Sequence, residues 1–253
     1  MINGRKLLSC ALTLGENMLT SGAEVGRVED TVTRICRAYG AKHVNVLTIT
    51  SSIVASAVFE DDKSVTETRR ITKQNTNFER LDYLNSLSRE ICSEKPEIAF
   101  IEKKLDELKD VKDFSFAVHC LAWAVAAGAF TVFFGGSIKD GLISAMIGVL
   151  LKLSVCLAKK GGINLIFVNI FASFVCTSAA YAAVRLGLGQ SADKIIIGNI
   201  MLLIPGIVIT NSIRDMITGD TITGTLRFFE ACLTALAIAG GYSLTVFVFG
   251  GVI

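Results

Sequence analysis

The second half of the chain contains five long apolar segments, and these constrain the fold more than any other feature. Lipid offers no partner for unpaired backbone groups, so a run of about 20 apolar residues crosses a bilayer as an α-helix. The segments are Phe114–Phe134, Gly141–Ala158, Ile163–Val184, Ile195–Ile213 and Phe228–Ile253. The sequence therefore predicts an α-helical integral membrane domain of five transmembrane helices over residues 113–253, embedded in the lipid bilayer.

Charged residues are concentrated in the first half of the chain. Residues 1–112 hold 17 of the 25 Lys and Arg residues and 17 of the 23 Asp and Glu residues. Two helical patterns are followed by a run dense in Val, Ile and Thr, which predicts three strands with a turn at EDDK (60–63), and then by further helical spacing. Ser21 and Glu24 have the spacing of a capping box for the second helix. We predict a small α+β cytoplasmic domain over residues 1–112.

Composition argues against several partners and cofactors. The basic residues of the first half are matched one for one by acidic residues, so no nucleic-acid-binding patch is expected. The seven cysteines include no CxxC pair and have no histidine at ligand spacing, which argues against a zinc site or a disulfide framework. No Gly-rich phosphate loop or nucleotide fingerprint occurs. We expect no cofactor and no coupling to ATP.

The charges that flank the apolar segments predict the orientation of the chain. The N-terminus lacks the features of a signal peptide, so the first half is expected to stay in the cytoplasm. Five flanking Lys and Arg residues then lie inside and three outside, in agreement with the positive-inside rule. The inside group is Lys112, Lys159, Lys160, Arg214 and Arg227, and the outside group is Lys139, Arg185 and Lys194. We predict a multi-pass protein of the cell membrane, with its N-terminus in the cytoplasm and its C-terminus outside.

The fourth apolar segment contains one of the two prolines of the chain. Pro205 removes a helical hydrogen bond and clashes with the preceding turn, so the helix is expected to kink or unwind around Pro205 and Gly206. Broken helices near the membrane midplane recur as substrate sites in secondary transporters, where the loose backbone lines a cavity. A proline kink that binds no ligand is the alternative interpretation.

Polar side chains on both sides of Pro205 favour a solute site. Asn199 and Asn211 lie in apolar sequence, where an unpaired amide is costly. Arg214 can donate two parallel hydrogen bonds to a carboxylate, although an arginine that only marks the cytoplasmic end of the helix fits equally well. The candidate proton-coupling residues, which are ionisable groups in or beside the apolar segments, are His119, Asp215, Asp220 and Glu230.

Three stretches of the chain resemble the threonine/serine exporter family. They are SGAEVGRVEDTVTRICRAYG (21–40), SSIVASAVFEDDKSVTETRRI (51–71) and LLIPGIVITNSIRDMITGDTITGTLR (202–227), of which the third is the most specific. The resemblance spans nearly the whole chain. It implies a subunit of a secondary exporter, not an enzyme, that moves small polar carboxylates such as threonine and serine out of the cell.

The resemblance also implies a partner. Family members are either fused proteins with two membrane blocks or split pairs, in which a subunit like this one is matched with a smaller, wholly membrane-embedded subunit. Five helices without a second membrane block are expected of the split type, and an oligomeric assembly is expected. Some split pairs are linked to succinate export, so a dicarboxylate is the alternative substrate.

Two functions of other classes stay open. The first domain could be a membrane-tethered hydrolase, although no nucleophile-elbow spacing is present. Its candidate nucleophiles are Ser21, Ser51 and Ser52, assisted by Glu24 or His43. The domain could instead be an interaction module that docks or gates. Under the exporter interpretation, the substrate-binding residues are Asn199, Pro205, Gly206, Asn211 and Arg214.

Overall fold

The computed structural model describes residues 3–59, 64–72, 76–108 and 114–249, and within them the chain forms ten helices and three strands. The predicted EDDK turn (60–63), Lys112 and the C-terminal residues 250–253 lie outside the described residues. The strands are β1 His43–Ile49, β2 Ser52–Val58 and β3 Ser64–Arg70. The helices are α1 Gly4–Thr20, α2 Val25–Ala38, α3 Phe78–Glu94, α4 Ile98–Glu107, α5 Phe116–Phe133, α6 Ile138–Lys160, α7 Leu165–Arg185, α8 Ala192–Ile200, α9 Gly206–Ile217 and α10 Thr221–Phe249.

The chain divides into two compact units. The first takes in the chain up to residue 112 together with Thr210–Phe228, and the second takes in residues 113–209 and 229–253. The borders between the units fall inside α9 and α10, so each of these helices contributes residues to both. The polar sequence that follows Pro205 therefore packs with the N-terminal part of the chain.

The first unit contains the three predicted strands, which form an antiparallel sheet in the order β1–β2–β3. The central strand β2 alternates between buried and half-buried residues, and its buried side chains are Ile53, Ala55 and Ala57. These join a core with the buried leucines of α1, among them Leu7 and Leu12. Alternate residues of β2 and one face of α1 thus bury their apolar side chains in the same core.

The connection between α1 and α2 differs from the prediction. Helix α2 begins at Val25 with Glu24 as its N-cap residue, and no side-chain hydrogen bond caps it. Ser21 instead ends α1, where its N–H donates to carbonyls of that helix. Gly22 then turns the chain with a φ of +101°, a conformation that glycine adopts without strain. The predicted Ser21–Glu24 capping box is wrong, because Ser21 ends α1 and Glu24 is itself the N-cap residue of α2.

Four helices among the described residues are long and apolar enough to cross a membrane, namely α5, α6, α7 and α10. Helix α6 begins inside a predicted loop, because Ser137 and Asp140 form a capping box there. Helices α5 and α6 approach closely, since a Cβ added to Gly128 would lie 2.9 Å from the Gly141 carbonyl oxygen. A mostly helical membrane architecture behind a small α+β region is confirmed, with four continuous spans where five were predicted.

The remaining predicted span, Ile195–Ile213, is interrupted. Helix α8 ends at Ile200 and α9 begins at Gly206. In between, the N–H of Leu202 donates to the Asn199 carbonyl at 3.1 Å, which tightens the end of α8 into a turn. Pro205 has no N–H with which to continue a helical ladder. The break that the proline predicted is present, and it divides the segment into two short helices.

Helices α7 and α10 cross at a glycine, which yields a stability prediction. A Cβ added to Gly241 would lie 2.2 Å from the Ile170 carbonyl oxygen, whereas a Cβ added to Gly240 would meet no atom within 4 Å. We expect Gly241→Ala to lower the Tm of the detergent-purified protein by several degrees. Gly240→Ala should leave Tm unchanged or raise it slightly, because alanine favours helix over glycine. Equal melting of the two variants would contradict this crossing.

Candidate functional site

The polar sequence after the break forms a helical hairpin, which we call the polar hairpin and define as Thr210–Phe228. The end of α9 and the start of α10 are joined by a turn in which Gly219 has a φ of +105°. Gly224 allows the two helices to lie close, since a Cβ there would lie 2.6 Å from the Ser212 carbonyl oxygen. Helix α10 therefore begins seven residues before the predicted Phe228, with a polar first part that belongs to the first unit.

The polar hairpin contacts the connection between α1 and α2. The Nδ2 group of Asn211 donates to the Gly22 carbonyl oxygen at 3.3 Å. The Arg214 guanidinium donates to the Glu24 carboxylate and forms an ion pair with it, across 190 positions of sequence. Two of the three stretches that carry the family resemblance, around Glu24 and around Arg214, therefore meet in one unit.

A second ion pair lies inside the polar hairpin and is buried. Arg227 Nη1 donates to Asp215 Oδ2 at 3.0 Å, and the two side chains are 5% and 1% exposed. The Asp215 carboxylate also accepts a hydrogen bond from the N–H of Val25, the first residue of α2. Asp215 thus joins α9, α10 and the start of α2, and its charge is balanced by a buried cation.

Two carboxyl groups of this region have raised pKa values. Burial raises the pKa of Asp215, against the opposing effect of the Arg227 charge, and the charge of Asp220 raises it further. Burial also raises the pKa of Glu29, which accepts a hydrogen bond from the Thr48 N–H at 2.6 Å and interacts with the Asp220 charge. Raised pKa values bring protonation closer to neutral pH, so Asp215 and Glu29 are suited to take up protons.

Asn199 lies in the second unit, in the last turn of α8, and is fully buried. Its Nδ2 group donates to Ser144 Oγ at 2.7 Å and to the Ile195 carbonyl oxygen at 3.0 Å. Ser144 Oγ also accepts a hydrogen bond from Thr131 Oγ1 at 2.6 Å. The Oδ1 atom of Asn199 has no hydrogen-bond partner among the residues that the structure describes. A polar cluster with a free acceptor thus lies in an apolar unit, beside the break.

The structure separates the predicted site residues into two groups. Glu230 is exposed, and His119 is half-buried in the first turn of α5. The first unit holds Asn211, Arg214, Asp215 and Asp220, and the second unit holds Asn199, Pro205, Gly206, His119 and Glu230.

Several residues of the candidate site were missed by sequence reasoning. Glu24 was interpreted as part of a helix cap or as an assisting acid of a hydrolase, and Glu29 was not singled out. Their only signal was their position in a stretch that resembles a transporter family. Arg227 was interpreted as a flanking charge of the membrane segment. Ser144 and Thr131 gave no signal, because small hydroxyl residues are common where membrane helices pack together.

Comparison with known proteins identifies the family. The chain matches the threonine/serine exporter family model over residues 9–249. The chain belongs to the threonine/serine exporter family. It is 30% identical over 247 residues to a threonine/serine exporter of Corynebacterium glutamicum and 26% identical over 244 residues to a probable threonine/serine exporter of Mycobacterium tuberculosis. These alignments take in 94% and 95% of this chain but only 50% and 46% of the relatives, so the chain spans about half of their length.

A third relative of this exporter-family chain has a similar length. It is a probable succinate transporter subunit, YjjP, of Klebsiella aerogenes, 22% identical over 249 residues, which are 97% of this chain and 93% of the relative. No solved structure matches the chain. The resemblance inferred from the three stretches is confirmed. Family membership and four apolar helices make this a multi-pass membrane protein of a transporter family.

The hydrolase alternative named Glu24 as an assisting acid. In the structure, the Glu24 carboxylate pairs with Arg214.

Proposed function

We propose that this chain is a subunit of a secondary exporter that moves threonine and serine out of the cell by alternating access. The observation that carries the proposal is the interruption between α8 and α9 in a chain of the exporter family. Broken helices recur at the solute sites of secondary transporters, where irregular backbone lines a cavity. Two relatives are named as threonine/serine exporters, which supports these small polar carboxylates as substrates.

In the proposed mechanism, the solute contacts the break at Pro205 and Gly206 and the amides of Asn199 and Asn211 along its path. Arg214 receives its carboxylate, because the planar guanidinium donates two parallel hydrogen bonds to such a group. The Arg214 side chain is 54% exposed and pairs with Glu24, so a solute carboxylate can exchange with that of Glu24. The exchange replaces one ion pair by another of the same chemistry.

We propose that proton uptake by Asp215 accompanies transport. Its burial and raised pKa support this assignment over Glu230, which is exposed. His119 and Asp220 stay candidates for a proton relay. A proton on Asp215 weakens its ion pair with Arg227 and so can loosen the polar hairpin during the transport cycle.

We further propose that the chain crosses the membrane five times, with the predicted segment Ile195–Ile213, which contains most of α8 and the first part of α9, forming the fourth crossing. Residues 1–112 then form a cytoplasmic domain that holds the polar hairpin, residues 113–253 supply the membrane domain, and the C-terminus lies outside. A second, smaller membrane subunit of the same family completes an oligomeric transporter. The half-length match to two exporters and the name of the Klebsiella relative as a subunit support this partner.

A succinate exporter subunit is the second candidate function. It is favoured by the Klebsiella relative, which is matched over 93% of its length. The test is counterflow of labelled threonine, serine and succinate into membrane vesicles from host cells that express or lack this chain, with and without the gene for the membrane partner. Flux of an amino acid that requires both genes supports the proposal. Flux of succinate alone supports the second candidate, and flux that is independent of the chain contradicts both.

The break itself can be tested with Pro205→Ala. Alanine restores a backbone N–H and favours helix, so the variant is expected to join α8 and α9, to melt no lower than the wild type and to transport several-fold more slowly. Pro96→Ala is the matched control, because Pro96 is the only other proline and precedes α4 in the first unit. Unchanged flux through Pro205→Ala would show that the interruption is a kink without a role in transport.

A further inference from the structure

The cluster formed by Thr131, Ser144 and Asn199 is a network of buried polar groups in an apolar unit. All three side chains are fully buried. Ser144 Oγ donates to the Ala127 carbonyl oxygen at 3.1 Å, and Thr131 Oγ1, which donates to Ser144, lies 2.9 Å from the same oxygen, so the network is anchored to α5. Gly198 brings α8 against it, since a Cβ there would lie 2.0 Å from Thr131 Oγ1. The network is therefore held by residues of three helices, α5, α6 and α8.

This network satisfies one end of the Asn199 amide and leaves the other end free. Both hydrogen bonds of Nδ2 are made within the protein, to Ser144 and to Ile195, whereas Oδ1 has no partner in the described part of the chain. Leaving a buried acceptor unpaired costs about 1–3 kcal/mol, and such groups are rare unless a ligand or water pairs with them. Rotating the amide by 180° would place Oδ1 against the Ile195 carbonyl oxygen, which has no proton to donate, so the orientation in which Nδ2 faces that carbonyl is favoured. Oδ1 is thus the end of the amide that the network does not pair.

Thr177 provides a contrast in the same unit. Its Oγ1 is also buried and has no partner in residues 3–59, 64–72, 76–108 and 114–249. A threonine hydroxyl, however, can rotate about its own bond to donate to a carbonyl of the preceding helical turn. The Asn199 carbonyl has no such freedom, because Ser144 and Ile195 fix its amide plane. Asn199 Oδ1 therefore requires a donor from outside the side chains that surround it.

We propose that Ser144, supported by Thr131, is a positioning residue that holds Asn199 so that its Oδ1 accepts a hydrogen bond from an N–H or O–H group of the transported solute. The inference rests on the proposed exporter function and deepens it by naming the chemistry that the site selects. Threonine and serine carry an ammonium and a hydroxyl group, which can donate to Oδ1. A succinate dianion carries no donor, and its oxygen atoms repel an amide carbonyl. The cluster thus selects solutes with donors over dicarboxylates.

The variants that test this inference are Asn199→Leu, which removes the acceptor at similar volume, and Ser144→Ala, which removes only the group that orients it. Ser154→Ala is the matched control. Ser154 is a buried serine on the same helix, and its Oγ donates to the Leu151 carbonyl of its own helix. Thermal melting of each purified full-length variant shows whether it folds.

The measurement is counterflow in vesicles from host cells that carry the whole transporter, with unlabelled threonine, alanine and succinate as competitors. In the wild type, threonine and alanine should compete better than succinate, since both carry an ammonium group. Ser144→Ala and Asn199→Leu should each raise the half-saturating concentration of threonine about tenfold, the effect of one lost hydrogen bond to a charged donor, and should narrow the preference over succinate. Ser154→Ala should change neither value.

The outcomes separate the inference from the proposed function. The donor-selecting role would be overturned if both variants kept the wild-type half-saturating concentration of threonine. It would also be overturned if all three competitors lost affinity equally. Either result would leave the exporter function standing. Better competition by succinate than by threonine in the wild type would overturn the inference and favour the dicarboxylate function. If Asn199→Leu does not fold, Ser144→Ala is used alone. Its threonine counterflow and the shift in its Tm on addition of threonine then decide between the same outcomes. Flux that does not depend on the chain would overturn the exporter function together with the inference.

Discussion

Replacing Arg227 by leucine is expected to destabilise the protein by about 3–5 kcal/mol, the usual consequence of removing one partner of a buried ion pair. The substitution leaves the Asp215 carboxylate with 1% exposure and without its cation. The double variant Asp215→Leu/Arg227→Leu should recover most of this loss, because no unpaired charge stays buried. Thermal melting of the detergent-purified variants measures the difference.

Arg214→Leu is the matched control, since the Arg214 and Glu24 side chains are 54% and 26% exposed. An exposed ion pair contributes about 0–1 kcal/mol, so this variant should melt close to the wild type. If Arg227→Leu and Arg214→Leu melt alike, the burial of the inner pair is not what holds the polar hairpin.

The deficit of Arg227→Leu is also expected to grow with pH. Burial raises the pKa of Asp215 above its ordinary value of 3.8, so the folded protein binds this proton more tightly than the unfolded chain does. The resulting stability is fully present below the unfolded pKa and is lost as pH rises through the folded pKa. Removing Arg227 raises the folded pKa further and enlarges this loss. Introducing Asp215→Asn into the variant should abolish the added pH dependence.

Most of the fold could be predicted from the sequence, because the physical signals are local. Twenty apolar residues in a row predict a membrane helix whatever surrounds them, and the strand-forming run of residues 43–71 gave the three strands. Pro205 predicted the break because its effect on the helix is confined to one turn. The start of α10 was missed by seven residues, because its first turns are polar and are stabilised by contacts with the first unit.

The candidate site could be predicted only in part, because its partners are distant in sequence. Arg214 was identified as a cation that needs an anion, but nothing local indicates that Glu24 supplies one across 190 positions. Glu24 has the spacing of a capping residue, and that local interpretation was the wrong one. Asn199 was identified because an amide in apolar sequence is costly anywhere. Its orientation by Ser144 depends on the packing of α6 against α8, which periodicity does not specify.

The contacts of the polar hairpin link the end of α9 to the N-terminal part of the chain. Arg214 and Asp215 are adjacent in α9, yet one pairs with Glu24 just before α2 and the other accepts a hydrogen bond from Val25 at its start. Any movement of the end of α9 must therefore move the start of α2 or break these contacts. A domain attached only through the chain would not be coupled in this way. The end of α9 and the start of α2 thus form one linked part of the first unit.

Arg214→Glu is expected to reduce export to the background level. The charge exchange Glu24→Arg/Arg214→Glu then shows which role of Arg214 the loss reflects. Two roles of Arg214 predict different results. If its function is only to hold the polar hairpin against the α1–α2 connection, the exchanged pair restores both melting temperature and export. If it receives the solute carboxylate, the exchange restores melting temperature alone, because position 214 now carries a negative charge that repels the carboxylate.

We expect the second result, because a half-exposed guanidinium bound to one carboxylate oxygen keeps further donors for a solute. Arg214→Lys should fall between the two extremes, since lysine keeps the charge but lacks the planar pair of donors. Arg34→Lys is the matched control, because Arg34 forms an exposed ion pair with Asp30 elsewhere in the first unit. Counterflow of labelled threonine and serine, with melting of each variant, measures both quantities. Full recovery of flux in the charge exchange would assign Arg214 to holding the hairpin and would move the carboxylate site elsewhere in the chain.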